Sequence, residues 1–135
     1  MDMQLTGKTV LITGASQGIG AGLAQAFASE GCSLILVARS DEKLRTIRDA
    51  LMSRYGTDVK YLALDLTVAE SVEALSESFK AVDILVNNAG NIPGGDLWSV
   101  DAARWRVGWE LKVMGYINIT RAFYGRMRER GQGVI

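Results

Sequence analysis

The chain has 135 residues, an apolar content of 48%, and 15 basic side chains that balance 15 acidic ones. This length fits one domain with its own core, and the zero net charge disfavours general binding to nucleic acid or an anionic membrane. The sequence has no histidine and one cysteine. These counts exclude a Ser-His-Asp triad, a histidine-ligated metal and a cysteine-rich zinc site within these residues, and we expect no metal site.

We expect no export signal in the N-terminal residues. Asp2 stands where a signal peptide would be basic, and no cleavable apolar segment follows it. No uncharged apolar window reaches the roughly 18 residues that a membrane span needs. The expected compartment is therefore the cytoplasm.

Short apolar runs alternate with longer amphipathic ones along the chain. The apolar, β-branched runs predict strands at 9–13, 33–38, 59–64 and 84–86, with another strand beginning at 134–135. The amphipathic runs predict helices at 19–30, at 41–55 after a Ser40 N-cap, after a Thr67 cap, and at 101–130. This alternation predicts an α/β fold, with a doubly wound parallel sheet and helices on both faces.

The predicted helix at 101–130 is apolar on nearly every side. Leu111, Ile117, Phe123 and Met127 are among its many apolar residues. One face can pack on the sheet, and the opposite face then needs another helix or another subunit. The sequence favours such an interface over a helix that is merely hydrophobic.

Three tryptophans lie around the start of this helix. Trp98, Trp105 and Trp109 could line the mouth of a substrate pocket, but their apolar bulk favours packing inside the protein.

A glycine-rich turn connects the first strand to the first helix. Residues 13–20 read TGASQGIG. Glycines at such a turn let the backbone approach a pyrophosphate, and the helix N-terminus offers free N–H groups. The spacing differs from the common G-x-G-x-x-G and lacks the lysine of a P-loop. Tight packing of the strand against the helix is the structural alternative, and it holds for Gly20 whether or not a nucleotide binds.

The end of the second strand indicates which dinucleotide is bound. An acidic residue roughly 20 residues after the last glycine would hold the ribose 2′-OH of NAD. Ala38 and Arg39 stand there instead, and a guanidinium can pair with a 2′-phosphate. This favours NADP over NAD, although Gln17 in the glycine loop adds no second positive charge. A solvated arginine at a strand end is the alternative.

Polar side chains also follow the third and fourth strands. Asp65 could accept a hydrogen bond from an adenine amino group, with Leu66 offering an N–H, or it could be a turn carboxylate before the Thr67 helix. Asn87 and Asn88 end the fourth strand before Ala-Gly. This sequence suits a ribose-binding edge, but asparagines can also tie neighbouring strands together, and Asn87 is the candidate for that role.

Taken together, TGASQGIG at 13–20, LDLT at 64–67 and NNAG at 87–90 resemble the motifs of the short-chain dehydrogenase/reductase family, in its compact single-domain branch. The resemblance runs from Leu5 to Ile135. It implies a Rossmann-like fold that transfers a hydride between NAD or NADP and a carbonyl or alcohol substrate. It also implies a homo-oligomer built through the long helix.

The resemblance assigns cofactor contacts residue by residue. They are Gly14, Ser16, Gln17, Gly18, Ile19 and Gly20 along the pyrophosphate, Arg39 at the 2′-phosphate, Asp65 and Leu66 beside adenine, and Asn88, Ala89 and Gly90 beside the nicotinamide ribose.

Two departures from the family pattern affect catalysis. The position of the family's catalytic asparagine, three before Gly115, holds Lys112. This lysine can donate a hydrogen bond but cannot accept one as an amide oxygen does, and it could instead pair with Glu110. The family's serine and Tyr-x-x-x-Lys follow the fifth strand, where this sequence ends.

Three hypotheses follow. Residues 1–135 are the N-terminal dinucleotide-binding portion of a single oxidoreductase domain that is inactive without the rest, and this is the favoured reading. Alternatively, they are a short dinucleotide-binding protein without chemistry, or an assembly protein that pairs through the long helix.

Overall fold

The computed structural model describes residues 2–135, in which four parallel strands form one sheet in the order β3-β2-β1-β4. The strands are β1 (Thr9–Thr13), β2 (Ser33–Ala38), β3 (Val59–Ala63) and β4 (Ile84–Val86). The predicted α/β fold with a doubly wound sheet is confirmed. The predicted third strand ends one residue earlier than expected.

Helices follow the strands in alternation. They are α1 (Gly18–Ser29), α2 (Asp41–Tyr55), α3 (Ala69–Ser78), α4 (Ala102–Trp109) and α5 (Gly115–Arg130). A π-helical turn at Glu110–Met114 joins α4 to α5 without a break, so the predicted long helix is observed with one irregular turn. None of the helices in residues 2–135 is long and apolar enough to cross a membrane.

One predicted helix start is wrong. Thr67 does not cap α3; the N-cap is Val68, which makes no side-chain capping bond. The Thr67 hydroxyl and N–H instead both donate to Asp65 Oδ1, at 2.7 and 2.9 Å. The hydroxyl is therefore used in the turn after β3 and is not available to the helix.

The two faces of the sheet carry separate cores, as expected for strands whose side chains alternate. Leu11 and Leu85 pack with α3 and α5 on one face. Val10 and Leu36 pack with α1 and α2 on the other. Because both faces are covered, the polar residues that follow the strands can meet only at the carboxyl edge of the sheet.

The sheet continues beyond β4 at its open edge. Val134 pairs with Ile84 in parallel, its N–H donates to Asp83 O at 3.0 Å, and its carbonyl accepts from the Leu85 N–H at 2.9 Å. The predicted beginning of a fifth strand is therefore present, beside β4. From β1 the sheet extends through β2 to β3 on one side and to β4 on the other. The direction of strand order therefore reverses between β1 and β4, which places a crevice outside the carboxyl ends of these two strands.

The helix α5 packs through one stripe of residues four apart. Gly115, Ile119, Phe123 and Met127 are buried against the sheet. The face opposite to this stripe is not covered within residues 2–135, where Ile117 is 45% exposed.

Candidate functional site

A cleft of about 630 Å³ lies along the carboxyl edge of the sheet, a volume typical of ligand pockets. Its wall is assembled from the glycine loop and from the segments that follow β2, β3 and β4. The predicted cofactor residues line it, with one exception. The lining members are Gly14, Ser16, Gln17, Gly18, Ile19, Arg39, Asp65, Leu66, Asn88, Ala89 and Gly90.

The exception, Gly20, lies beneath the loop. A Cβ there would come within 2.6 Å of Asn88 Nδ2 and 2.8 Å of the Gly14 carbonyl carbon. Gly14 is equally confined: its φ is +66°, and a Cβ would lie 2.8 Å from Ala89 Cα. The two glycines therefore let the loop, α1 and the end of β4 pack backbone against backbone. The structural role predicted for Gly20 is confirmed.

Thr13, at the end of β1, holds the glycine loop and the end of β4 together. Its buried hydroxyl accepts hydrogen bonds from the N–H groups of Asn88 and Ala89, both at 3.0 Å. The same hydroxyl donates to Val86 O at 3.3 Å. Sequence reasoning did not single out Thr13 for this role.

The strand-tying role predicted for Asn87 is wrong, and Asn88, which lines the cleft, fills that role. The Asn88 amide donates to the carbonyls of Thr13 and Gly14 at 3.1 and 3.2 Å. Asn87 reaches across to α5, where its amide donates to the Thr120 hydroxyl at 2.9 Å. Its carbonyl oxygen is buried without a hydrogen-bond partner among residues 2–135.

Two cations border the cleft where β2 passes into α2. Arg39 is exposed and lines the wall, and its contact with a 2′-phosphate stays a prediction. Lys43, in the first turn of α2, also lines it, and its ammonium donates to Gln17 Oε1 at 3.1 Å. Gln17 itself adds no positive charge, as expected from the sequence, but Lys43 lies beside it. The sequence did not indicate Lys43, because the approach of α2 to the glycine loop is a tertiary contact.

Asp65 is held in a turn by Thr67. The Thr67 N–H and then its hydroxyl lower the pKa of Asp65, with a further contribution from the positive charge of Arg39. The reading of Asp65 as a turn carboxylate is thus confirmed. Only Oδ1 takes part in these bonds, so contact of the other oxygen with a ligand stays a prediction.

Lys112 lies on the π-helical turn, close to the Gly90 end of the cleft. Its ammonium donates to the Tyr116 hydroxyl at 3.1 Å and lies 4.9 Å from the centre of that ring. A Cβ on Gly90 would come within 3.4 Å of the same ammonium. The expected alternative, an ion pair with Glu110, is not found among residues 2–135. Single π turns occur frequently at functional sites.

The tryptophans do not pack inside the described part of the protein. Trp98 is 97% exposed, Trp109 62% and Trp105 43%, so the packing prediction is wrong for residues 2–135. None of the three lines the cleft, although Val107, between two of them, does. No cluster of three acidic or sulfur-bearing side chains that could hold a metal exists in these residues.

A doubly wound parallel sheet with a glycine loop after β1 is the architecture of dinucleotide-binding α/β proteins. Comparison with known sequences is more specific. The family described as short chain dehydrogenase matches residues 8–135. The chain belongs to the short-chain dehydrogenase/reductase family.

Curated relatives and solved structures agree with this placement. An uncharacterised oxidoreductase of Bacillus subtilis is 33% identical over 98% of this chain. An NADPH-dependent pterin aldehyde reductase of Arabidopsis thaliana is 38% identical over 95%. The structure of L-sorbose reductase from Gluconobacter frateurii, complexed with NADPH and L-sorbose, superimposes with a TM-score of 0.91 over 99% of this chain, at 37% identity.

The chain spans about half the length of these proteins. It covers 51% of the Bacillus oxidoreductase, 54% of the pterin aldehyde reductase and 53% of the sorbose reductase chain.

Proposed function

We propose that residues 1–135 bind a nicotinamide dinucleotide in the cleft and form the cofactor-binding portion of a single oxidoreductase domain. The observation that carries this proposal is the convergence of the glycine loop, Arg39, Asp65 and the Asn88–Gly90 segment on one cleft of about 630 Å³. The whole enzyme would transfer a hydride between the nicotinamide and a carbonyl or alcohol carbon.

The residues present suit such a cofactor. Gly14 lines the cleft without a Cβ, so the backbone of the loop is open there to a close approach. Gly20, beneath the loop, leaves the room that the loop and Asn88 occupy. In our proposal Ser16 and the N–H groups of Gln17, Gly18 and Ile19 lie along the pyrophosphate. Leu66 and Asp65 flank the adenine, and Ala89 and Gly90 bound the nicotinamide ribose. The bound cofactor would supply the hydride; these residues orient it.

We propose NADP as the preferred cofactor, with NAD as the weaker alternative. After β2 the wall of the cleft is lined by Ala38, Arg39 and Ser40. This segment therefore presents a guanidinium to the cleft, and it has no carboxylate at the position where the ribose 2′-OH of NAD would be held. Arg39 would pair with the 2′-phosphate. The sorbose reductase, whose structure is complexed with NADPH, and the NADPH-dependent pterin aldehyde reductase support the same choice.

A titration of the purified chain with NADPH and NADH tests this proposal, with nucleotide fluorescence as the readout. We expect NADPH to bind more tightly, and Arg39→Ala to weaken NADPH by at least about tenfold while changing NADH little, as expected when a charge-assisted bond is lost. Arg45→Ala, an exposed arginine of α2 outside the cleft, is the matched control. Failure of the chain to bind either nucleotide would refute dinucleotide binding.

For Lys112 we propose a donor role at the nicotinamide end of the cleft. Its ammonium lies close to Gly90 and is oriented by the Tyr116 hydroxyl, so it can donate to a substrate oxygen but cannot relay a proton as an acceptor. In the whole enzyme, Lys112→Met should lower kcat and leave the Kd for NADPH unchanged. An unchanged kcat would refute the role.

We expect the 135-residue chain alone to bind nucleotide without reducing ketones, because it has no tyrosine followed four residues later by a lysine. Robust NADPH-dependent ketone reduction by this chain would overturn that expectation. The alternative function, assembly through α5 without nucleotide binding, is supported by the exposed apolar face of that helix. It predicts that neither NADPH nor NADH binds.

A further inference from the structure

We infer that Lys43 is a second cation of the proposed 2′-phosphate site and, with Arg39, sets the preference for a phosphorylated cofactor; this inference rests on the function proposed above. Lys43 and Arg39 both line the cleft. The ammonium of Lys43 lies on the glycine loop, 3.1 Å from Gln17 Oε1. Two positive charges therefore border the cleft where β2 passes into α2.

The local structure explains why Lys43 is near the loop. Ser40 caps α2 and accepts the Lys43 backbone N–H at 3.4 Å, which fixes residue 43 in the first helical turn. The neighbouring Leu44 is fully buried and sets the rotation of the helix about its axis. With Leu44 directed into the core, the side chain of Lys43 extends to Gln17 in the glycine loop.

The charges around Lys43 leave it available to an anion. Asp41 and Glu42, its neighbours in the first turn, do not line the cleft. Within residues 2–135 no carboxylate lies within 4.0 Å of its ammonium. The acidic residue that does line the cleft, Asp65, accepts both of its bonds from Thr67.

The hydrogen-bonding capacity of the ammonium points the same way. A lysine ammonium has three donors, and Gln17 engages one of them. Two donors remain for the oxygens of a phosphate monoester. Gln17 is neutral, so it positions the ammonium without neutralising it. A ribose that carries only a 2′-OH gives this charge no anion to bind, and Lys43 should therefore discriminate between the two nucleotides.

The test compares two probes, adenosine 2′,5′-bisphosphate and 5′-AMP, by isothermal titration calorimetry on the full chain. We expect Lys43→Met to weaken the bisphosphate by about tenfold, the loss typical of a charge-assisted bond, and to leave 5′-AMP within about twofold. Lys43→Arg should retain most of the affinity. The matched control is Lys60→Met, the same substitution at an exposed lysine of β3 that pairs with Asp58; it should leave both affinities unchanged.

Three other outcomes would contradict the inference, and they differ in whether the proposed NADP preference fails as well. If the unmodified chain binds both probes equally, the proposed NADP preference fails, and this inference fails with it. If the chain prefers the bisphosphate but Lys43→Met leaves that preference intact, only the inference is wrong. Equal weakening of both probes, reproduced by Gln17→Ala, would mean that Lys43 acts only by positioning the glycine loop, and would also overturn it.

Discussion

One buried hydroxyl helps to hold the start of the glycine loop, at the end of β1, against the segment that follows β4. Thr13 Oγ1 accepts the backbone N–H groups of Asn88 and Ala89, and the side chain is 1% exposed. Water cannot readily replace it there, so loss of the hydroxyl would leave two donors unpaired.

Thr13→Val, which keeps the shape of the side chain, should therefore lower the free energy of unfolding by about 1–3 kcal/mol. It should also weaken nucleotide binding, since the loop and the Asn88–Gly90 segment would then be joined only by the bonds of the Asn88 amide to the Thr13 and Gly14 carbonyls. Urea denaturation and a nucleotide titration measure the two effects. Thr13→Ser retains the acceptor and is the control; a loss as large as that of the valine variant would contradict this account.

Asp65 gives the turn after β3 a dependence on pH. Hydrogen bonds from Thr67, together with the charge of Arg39, lower the pKa of Asp65 below its ordinary value of 3.8. A carboxyl whose pKa is lower in the folded state stabilises the fold above its unfolded pKa, and this contribution is lost as pH falls through the folded value.

Asp65→Asn should therefore be less stable than the unmodified chain near pH 7, and the difference should shrink as the pH falls below about 4. The effect is small because Asp65 is exposed. Urea midpoints measured across this range provide the test. A difference between the two proteins that stays constant with pH would contradict it.

At the scale of elements, two of the glycines of α1, Gly20 and Gly22, can be compared directly. A Cβ on Gly20 would meet Asn88 and the Gly14 carbonyl carbon at 2.6 and 2.8 Å, whereas a Cβ on Gly22 would meet nothing within 4 Å. Both residues lie within the same helix, so their intrinsic cost to the helix is similar, and only the contact with the loop differs.

Gly20→Ala should destabilise the chain by about 1–3 kcal/mol, the usual cost of overpacking, and should weaken nucleotide binding because the glycine loop is displaced. Gly22→Ala should instead stabilise it by up to about 1 kcal/mol, since alanine favours the helix. Thermal unfolding of the two variants measures both effects. Equal behaviour of the two would mean that the loop does not depend on the missing side chain.

Elements with local signals were predicted closely from the sequence. The bounds of α2 follow from the Ser40 cap and from Gly56, which takes φ +66° at the C-cap. The start of α3 was missed because Thr67, a good capping residue, bonds to Asp65 instead. The π-helical turn at Glu110–Met114 was not predicted, because an apolar run does not distinguish it from α-helix.

The candidate site was predicted where its residues follow strands, since parallel strands bring such residues to one edge. The contacts of Lys43 with Gln17 and of Asn87 with Thr120 could not be predicted. They depend on how α2 and α5 approach the sheet, and no short-range pattern encodes that approach. The exposure of Trp98 was missed for a related reason: apolar bulk alone does not say whether a partner surface lies within the described residues.

At the scale of the whole molecule, a stripe of exposed apolar side chains runs along the outer side of the long helical segment. Met114, Ile117 and Tyr124 are 37%, 45% and 57% exposed, and their spacing of three and seven residues puts them on one helical face. The opposite stripe of α5 packs on the sheet. An exposed apolar stripe of this kind marks an interaction surface.

We expect the chain to self-associate through this face, and Ile117→Glu to weaken the association by at least about tenfold, because a charge would be buried without a partner. Met52→Glu is the matched control: Met52 is 43% exposed on α2, which packs on the other face of the sheet. Sedimentation equilibrium over a concentration series measures both. A chain that stays monomeric throughout, or equal effects of the two substitutions, would show that the α5 face does not mediate assembly.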